Sequence, residues 1–214
     1  MSAIAVLGRL LLEAVAPLRC AACDTVAGAP ICPACDAELG ALPVPRAVDL
    51  DDLRAWSAFV FAGPVREVLH RGKFQGNRAA LRQIAGVAAI RLELAIRPPP
   101  DAVLPVPLGA RRRRQRGYNQ AEVVAAEIAQ AVGAHVLDGL TRVRETEPQS
   151  SRGEADRRTN VAGAFGWRGA DLAGARLWLI DDVLTTGATM EAAAAVLLQA
   201  GARRVDGLVI ARVP

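Results

Sequence analysis

The 214-residue chain has one lysine, few aromatic residues and no long uncharged segment. Lys73 is the only lysine among its 26 basic residues, and Phe, Trp and Tyr make up 4% of the sequence. The longest stretch without Asp, Glu, Lys or Arg is eleven residues, whereas a membrane-spanning helix needs about 20 mostly apolar ones. We therefore expect no membrane span and few stacking platforms for nucleic-acid bases.

The beginning of the chain also lacks the pattern of a secretory signal. No basic segment precedes the apolar residues of 1–18, and Arg9 and Glu13 interrupt them. We therefore expect a cytoplasmic protein. The hydrophobic fraction of 52% and the charged fraction of 22% predict a chain with a buried core and exclude a mainly disordered one.

All four cysteines lie near the start of the chain in a C-x2-C-x8-C-x2-C arrangement: Cys20, Cys23, Cys32 and Cys35. Each C-x2-C pair forms a tight turn that directs two thiolates at one centre, and two pairs supply the four ligands of tetrahedral zinc. The same ligands suit an iron–sulfur cluster, and two disulfides are a further alternative that a reducing compartment disfavours. We predict a structural zinc site, because four thiolates leave no open coordination position.

The segment before the cysteines predicts a helix, and the segment after them predicts a linker. Apolar residues recur at helical spacing between Ile4 and Leu18. Residues 40–54 contain two prolines and mixed charge, as linkers often do. We therefore divide the chain into an N-terminal helix with a four-cysteine zinc module, residues 1–45, and a second domain, residues 46–214.

Strands alternate with helices through the second domain. This alternation predicts an α/β fold with a parallel sheet flanked by helices, in which ligands bind beyond the carboxyl ends of the strands. Asn77 is a plausible helix N-cap. The expected strands are 55–63, 101–107, 164–167, 176–180 and 204–213, and the expected helices are 64–71, 77–96, 119–132 and 188–200.

Residues 177–197 (LWLIDDVLTTGATMEAAAAVL) contain the motif that indicates the chemistry. An apolar strand is followed by Asp181 and Asp182, then by a short loop and a helix. Backbone N–H groups at the start of a helix bind phosphate, and glycine permits the tight turn before it. The two carboxylates suit a ligand that also has hydroxyl donors, or a Mg²⁺ ion that bridges it to the protein. The predicted ligand is a phosphorylated sugar with a vicinal diol, bound at its phosphate by Thr185, Thr186, Gly187, Ala188 and Thr189.

This loop differs from two common nucleotide-binding signatures. The chain has neither G-x4-G-K-[ST] nor G-x-G-x-x-G. The sequence therefore disfavours a Walker A nucleotide site and a dinucleotide site of the Rossmann type.

Arginines cluster in two further segments. Clustered guanidinium groups make bidentate contacts with phosphate oxygens, so they favour a polyanionic ligand, although a solvated basic surface is the alternative. The first cluster is Arg111, Arg112, Arg113, Arg114 and Arg116, and the second is Arg142, Arg144, Arg152, Arg157 and Arg158.

The segment from Ile180 to Thr189 resembles the phosphoribosyl-pyrophosphate (PRPP) motif of type I phosphoribosyltransferases. The whole chain resembles the ComF family, in its ComFC-type, competence-associated branch, which joins a four-cysteine zinc module to a phosphoribosyltransferase-like domain. Three other segments carry this resemblance: Leu104-Pro105-Val106-Pro107-Leu108, Arg116-Gly117-Tyr118-Asn119-Gln120, and Pro148-Gln149 followed by Arg157 and Asn160-Val161-Ala162-Gly163-Ala164-Phe165.

The resemblance implies a role for each matching position. Asp181 and Asp182 are the implied catalytic residues and bind the ribose hydroxyls with Mg²⁺ nearby, while 185–189 bind the 5-phosphate of PRPP. Pro107 and Leu108 approach the pyrophosphate through their backbone. Mobile loops that close over the site contain Arg116, Gln149 and Arg157.

Three functions follow from these expectations. The first is a phosphoribosyltransferase with an unknown acceptor. The second is a non-catalytic protein on the same fold that binds single-stranded DNA, through Lys73, a groove of Arg111, Arg112, Arg113 and Arg114, and Tyr118 as a stacking face. The third is a protein whose zinc module docks on a helicase of DNA uptake. We expect a PRPP-binding, phosphoribosyltransferase-like protein associated with natural transformation.

Overall fold

The structure, a computed structural model, describes residues 17–93, 96, 98–144, 161 and 163–214. The helix predicted from Ile4 onward lies outside these residues up to position 16. The predicted site residues Gln149 and Arg157 also lie outside them, as do Arg152 and Arg158 of the second arginine cluster.

The described residues form strands that alternate with helices. The strands are β1 (Val48–Asp49), β2 (Arg54–Val60), β3 (Ala102–Pro105), β4 (His135–Val136), β5 (Leu140–Arg142), β6 (Phe165–Trp167), β7 (Arg176–Leu184) and β8 (Arg204–Arg212). The helices are α1 (Pro33–Ala41), α2 (Gly63–Gln75), α3 (Arg78–Glu93), α4 (Ala110–Arg116), α5 (Gln120–Val132) and α6 (Ala188–Gln199).

Six strands form the central sheet, in the order β1-β2-β8-β7-β3-β4. All neighbouring strands are parallel except β1 and β2. Strands β5 and β6 form a separate antiparallel pair. This architecture confirms the predicted α/β class with a mainly parallel sheet.

Helices cover both faces of the sheet. Leu81 and Ile84 of α3 share one hydrophobic cluster with Val124 and Ile128 of α5. A second cluster contains α6 together with Phe165 of β6. Since the strands of a parallel sheet are buried on both faces, they form continuous apolar runs such as Leu177–Ile180.

The chain leaves β3 and β7 in opposite directions. It passes from β3 through α4 and α5 to β4 at one edge, and from β7 through α6 to β8 on the other side. Neighbouring strands with diverging connections leave a crevice at their carboxyl ends, where ligands bind in open α/β sheets.

Several expected boundaries differ from those of the structure. The segment expected as a linker contains β1 and the first residue of β2. The strand expected over 176–180 continues to Leu184, because Val183 and Leu184 pair with Ala211 and Arg212 of β8. The N-cap predicted at Asn77 is confirmed, since its Oδ1 accepts a hydrogen bond from the Ala80 N–H at 3.0 Å.

The four-cysteine segment packs on α2 and α3. Gln83 of α3 accepts a hydrogen bond from the Ile31 N–H at 2.9 Å and donates one to the Ile31 carbonyl at 3.0 Å. Arg91 donates to the carbonyl of Gly40 at 2.7 Å, and Ile31 and Leu39 belong to the same hydrophobic cluster as α3. This segment therefore shares its core with the sheet domain. In the described part of the chain, no helix is both long and apolar enough to cross a membrane.

Candidate functional site

A cavity of about 430 Å³ opens at the carboxyl ends of β3 and β7. It lies in the crevice where the connections of these strands diverge. Its walls include the two aspartates, the loop before α6, the loop after β3 and two arginines of α4. The lining residues from the predicted site are Lys73, Pro107, Leu108, Arg112, Arg116, Asp181, Asp182, Thr185, Thr186, Ala188 and Thr189.

The two aspartates differ in their surroundings although they are neighbours in β7. Burial, and secondarily the charge of Asp182, raises the pKa of Asp181 to about 7. Lys73 and Arg142 oppose this shift. Asp181 is thus a carboxyl group that changes its charge near neutral pH.

Lys73 of α2 forms an ion pair with Asp182. Its Nζ lies 3.0 Å from Asp182 Oδ1, and the two side chains are 21% and 11% exposed. A mostly buried carboxylate requires such a partner, because burial of an isolated charge is costly. The only lysine therefore belongs to the cavity wall.

The loop before α6 has the conformation that its glycine predicts. Gly187 is the N-cap of α6 and has φ of 84°, in the left-handed region. A Cβ at this position would lie 2.7 Å from Leu50 Cδ1, so a larger residue would also require the Leu50 side chain to shift. Thr185 and Thr186 of this loop line the cavity, as do Ala188 and Thr189 of the first turn of α6.

Asn119 connects the loop after β3 to helix α5. Its side chain is buried, and its Nδ2 donates to the Val106 carbonyl at 2.9 Å. Its Oδ1 accepts from the Ala121 N–H at 3.2 Å and so caps α5. This residue fixes the wall next to Pro107 and Leu108.

The arginines of α4 fall into two groups. Arg112 and Arg116 line the cavity, and Arg116 donates to Gln120 Oε1 at 2.9 Å. Arg113 instead forms an ion pair with Glu122 at 2.5 Å, while Arg111 and Arg114 are exposed. Only part of the first arginine cluster is therefore placed to meet a ligand in the cavity.

Tyr118 does not have the exposed ring expected of a stacking face. It is 5% exposed, its hydroxyl donates to the Gly72 carbonyl, and the Arg78 guanidinium lies 4.3 Å from its ring centroid. Stacking of bases on Tyr118, which the sequence suggested, would require the ring to leave its contacts with Gly72 of α2 and Arg78 of α3.

Sequence reasoning gave no individual site role to several residues that line the cavity, four of which are polar or aromatic. Two of them, Gln120 and Asn119, lie in the segment that carries the family resemblance, and this was their only signal. Arg142 was singled out only as a member of the second arginine cluster, and Phe61 carries no local signal. All four line the cavity: Phe61, Asn119, Gln120 and Arg142.

The four cysteines form the predicted cluster. Their Sγ atoms all lie within 4.8 Å of one another, and all four are free thiols. The Sγ atoms of Cys23 and Cys32 are 3.8 Å apart, which matches the edge of a tetrahedron of about 3.8 Å that Zn–S bonds of about 2.3 Å produce. The cluster has the ligands and spacing to bind a metal ion.

Hydrogen bonds favour the thiolate form of part of this cluster. The Thr25 hydroxyl and N–H, followed by neighbouring thiols, lower the pKa of Cys23 to about 6. Burial and the Cys23 thiol raise the pKa of Cys20, but the N–H groups of Cys32, Cys23 and Ala22 lower it overall. Burial and the neighbouring thiols raise the pKa of Cys35. A metal ion would stabilise the Cys35 thiolate, which these surroundings otherwise disfavour, by binding to it.

The chain is similar over most of its length to proteins named for DNA utilization and competence. It is 29% identical to the DNA utilization protein YhgH of Salmonella typhi over 82% of this chain and 81% of that protein. It is 28% identical to competence protein F of Haemophilus influenzae over 90% of each chain. Competence protein ComFC of Bacillus subtilis is 28% identical over 68% of this chain and 58% of its own length. The resemblance to the ComF family is therefore confirmed.

No protein-family model matches the chain. Among solved structures, a glutamine PRPP amidotransferase from B. subtilis is 21% identical, with a TM-score of 0.43, over 62% of this chain and 26% of that one. The protein TT1426 from Thermus thermophilus is 20% identical, with a TM-score of 0.38, over 63% of this chain and 83% of that one.

Proposed function

We propose that this protein binds PRPP, or a related phosphorylated ribose, in the cavity at the carboxyl ends of β3 and β7. The observation that carries the proposal is that acids, a phosphate-binding type of loop and two arginines all line one cavity of about 430 Å³. Each of these features matches a different part of a phosphoribosyl ligand.

The 5-phosphate fits the loop before α6. Free N–H groups and the positive end of the helix dipole favour an anion there. The threonine hydroxyls of Thr185, Thr186 and Thr189 add hydrogen-bond donors at the same wall. The ribose fits the next part of the wall, where its hydroxyls donate to the carboxylates of Asp181 and Asp182.

The pyrophosphate fits the wall that contains Arg112 and Arg116. Guanidinium groups bind phosphate oxygens through paired hydrogen bonds. The hydrogen bond from Arg116 to Gln120 orients one of these side chains before the ligand arrives.

The proposed reaction is displacement at the anomeric carbon. The bond from C1 to the pyrophosphate oxygen breaks, a bond from C1 to an acceptor nitrogen forms, the acceptor nitrogen loses a proton and pyrophosphate leaves. Positive charge that develops on the ribose ring is stabilised by the nearby carboxylates, and negative charge on the leaving group by Arg112 and Arg116.

Magnesium fits the same residues. Carboxylate oxygens are its preferred protein ligands, and Asp181 and Asp182 supply them at the cavity wall. The ion would neutralise charge on the pyrophosphate. For the cysteine cluster we propose structural zinc, because four thiolates occupy all tetrahedral positions.

We further propose that the reaction serves DNA uptake or utilization. The support is the similarity to competence protein F of H. influenzae and to the YhgH proteins. The zinc module is our candidate docking surface for a DNA-uptake helicase. A pull-down of the helicase with the full chain would test this docking, in comparison with the Gln83→Leu variant, in which the module loses its hydrogen bonds to α3.

The decisive experiment is a calorimetric titration of PRPP with and without Mg²⁺, together with an assay for pyrophosphate release across nitrogenous acceptors. We expect binding that improves with Mg²⁺ and weakens at least tenfold in Asp182→Asn. The matched control is Asp138→Asn, because Asp138 is exposed and does not line the cavity. An equal loss in both variants, or no binding to the wild type, would contradict the proposal.

A second candidate function is binding of single-stranded DNA by α4. This helix has no buried residue and carries five arginines. Alanine at both Arg111 and Arg114 should then reduce the shift of a single-stranded oligonucleotide and its salt dependence. The charge-matched control is alanine at both Arg66 and Arg203, which are exposed elsewhere. An equal effect in the control would contradict a specific role of α4.

A further inference from the structure

Phe74 is an exposed aromatic ring next to the cavity. It lies at the end of α2 and is 66% exposed, more than any other exposed large hydrophobic residue of the described chain. The adjacent residue, Lys73, lines the cavity and pairs with Asp182. An apolar ring that contributes so little to the core is available for contact with a ligand.

Two side chains lie next to the Phe74 ring. The His70 ring lies 4.7 Å from it between centroids, with an interplanar angle of 43°. The guanidinium of Arg116 lies 5.6 Å from its centroid. Since Arg116 also lines the cavity, it connects Phe74 directly to the proposed ligand site.

The surroundings of Phe74 indicate which kind of ligand this ring can contact. An exposed aromatic ring with a nearby arginine suits a flat aromatic group, through stacking and cation–π contact. The cationic residues Lys73, Arg112 and Arg116 suit anionic groups on the same molecule. A nucleoside phosphate has both features: its phosphate would lie in the cavity, and its base would lie on Phe74 next to the cavity.

We propose that Phe74, with His70 beside it, forms a stacking platform for a nitrogenous base of a nucleoside phosphate bound in the cavity. The proposal rests on the proposed function and specifies its acceptor: a planar base, held over Phe74 while its nitrogen faces the anomeric carbon. Phe74 takes the stacking role that the sequence had suggested for Tyr118.

The test compares two ligands that differ only in the base. Ribose 5-phosphate and adenosine 5′-monophosphate are titrated against the wild type by calorimetry. Stacking on an aromatic side chain predicts that the nucleotide binds about 5-fold to 150-fold more tightly. In Phe74→Ala this advantage should disappear, while affinity for ribose 5-phosphate stays unchanged.

Three further variants identify the cause of any change. Phe74→Trp should keep the advantage, and Phe74→Leu should lose most of it, because leucine is apolar without an aromatic face. Ile90→Ala is the matched control, since Ile90 is 65% exposed on α3 and does not line the cavity. Because Phe74 is exposed, we expect the melting temperatures of all variants to match the wild type.

The outcomes separate this inference from the proposed function. Binding of ribose 5-phosphate without an advantage for the nucleotide overturns the platform alone, and so does an advantage that persists in Phe74→Ala. No binding of either ligand overturns both. Weaker binding of a single-stranded oligothymidylate in Phe74→Ala, with the advantage for the nucleotide unchanged, assigns the ring to a DNA surface and also overturns the proposal.

Discussion

Lys73 Nζ lies 3.0 Å from Asp182 Oδ1, so the only lysine of the chain neutralises one of two adjacent aspartates. The pair joins the end of α2 to β7 at the wall of the cavity. Two neighbouring carboxylates repel each other, and an ammonium in contact with one of them reduces this repulsion. The ion pair therefore controls the charge that the acids present to a ligand.

We predict that Lys73→Met raises the pH needed for ligand binding. Lys73 holds down the pKa of Asp181, so without the ammonium this pKa should rise further, and the midpoint of ribose 5-phosphate affinity against pH should rise by about one unit. Calorimetric titrations between pH 5 and pH 9 measure this midpoint. Lys73→Arg, which keeps the charge, is the control and should stay near the wild type; a midpoint that does not move in Lys73→Met would show that the pair has no such role.

The raised pKa of Asp181 predicts a specific dependence of stability on pH. Its value of about 7 in the folded state lies above the ordinary value of 3.8, so the folded protein binds this proton more tightly than the unfolded chain. The resulting stabilisation is complete below about pH 4 and is lost as the pH rises through 7. Asp181→Asn should remove this part of the dependence.

Melting temperatures of the wild type and Asp181→Asn, measured from pH 4 to pH 8, check this prediction. The variant should gain stability relative to the wild type as the pH rises, since asparagine is never charged. Asp138→Asn, at an exposed position, should follow the wild type. Parallel curves for the wild type and Asp181→Asn would be inconsistent with a carboxyl that titrates near neutral pH at this position.

The local patterns of the sequence predicted the turn, the helix caps and the buried strands, because these features depend on residues that are close together in the chain. Gly187 has the positive φ that a tight turn before a helix requires. Asn77 and Asn119 accept the hydrogen bonds that cap their helices. Apolar runs such as Leu177–Ile180 predicted the buried strands, because a parallel sheet needs apolar residues on both faces.

Contacts between distant segments could not be predicted in this way. No local pattern indicates that Lys73 meets Asp182, because the pairing depends on how α2 packs against the sheet. Helix α4 was missed because its arginines give no apolar periodicity. Tyr118 looked available among basic residues, but packing against α2 and α3 buries its ring.

We predict that the cysteine cluster binds one zinc ion per chain and that its loss destabilises the protein. Metal analysis should give this ratio for the wild type and a much lower one for Cys35→Ser. Because Ile31 and Leu39 share the core with α3, loss of the metal should lower the melting temperature by about 5 °C or more. The control is Glu38→Gln, at an exposed position of α1.

Two other results of the same experiment would contradict zinc. Absorbance in the visible range with bound iron would indicate an iron–sulfur cluster, and a wild-type protein that keeps its melting temperature after metal removal would exclude a structural role. The cavity is formed by other elements, so ribose 5-phosphate affinity of Cys35→Ser should stay near the wild type at temperatures where it remains folded.

Gly187→Ala should disrupt the loop before α6 for two separable reasons. Alanine disfavours φ of 84°, and its Cβ would lie 2.7 Å from Leu50 Cδ1. We expect a loss of about 1–3 kcal/mol of stability and weaker binding of ribose 5-phosphate, because the loop N–H groups move. The double variant with Leu50→Ala removes the contact but keeps the backbone strain. In denaturant unfolding, the double variant should therefore recover only part of the stability that Gly187→Ala loses. Full recovery would mean that alanine adopts the left-handed conformation at this position without cost, and would contradict the prediction.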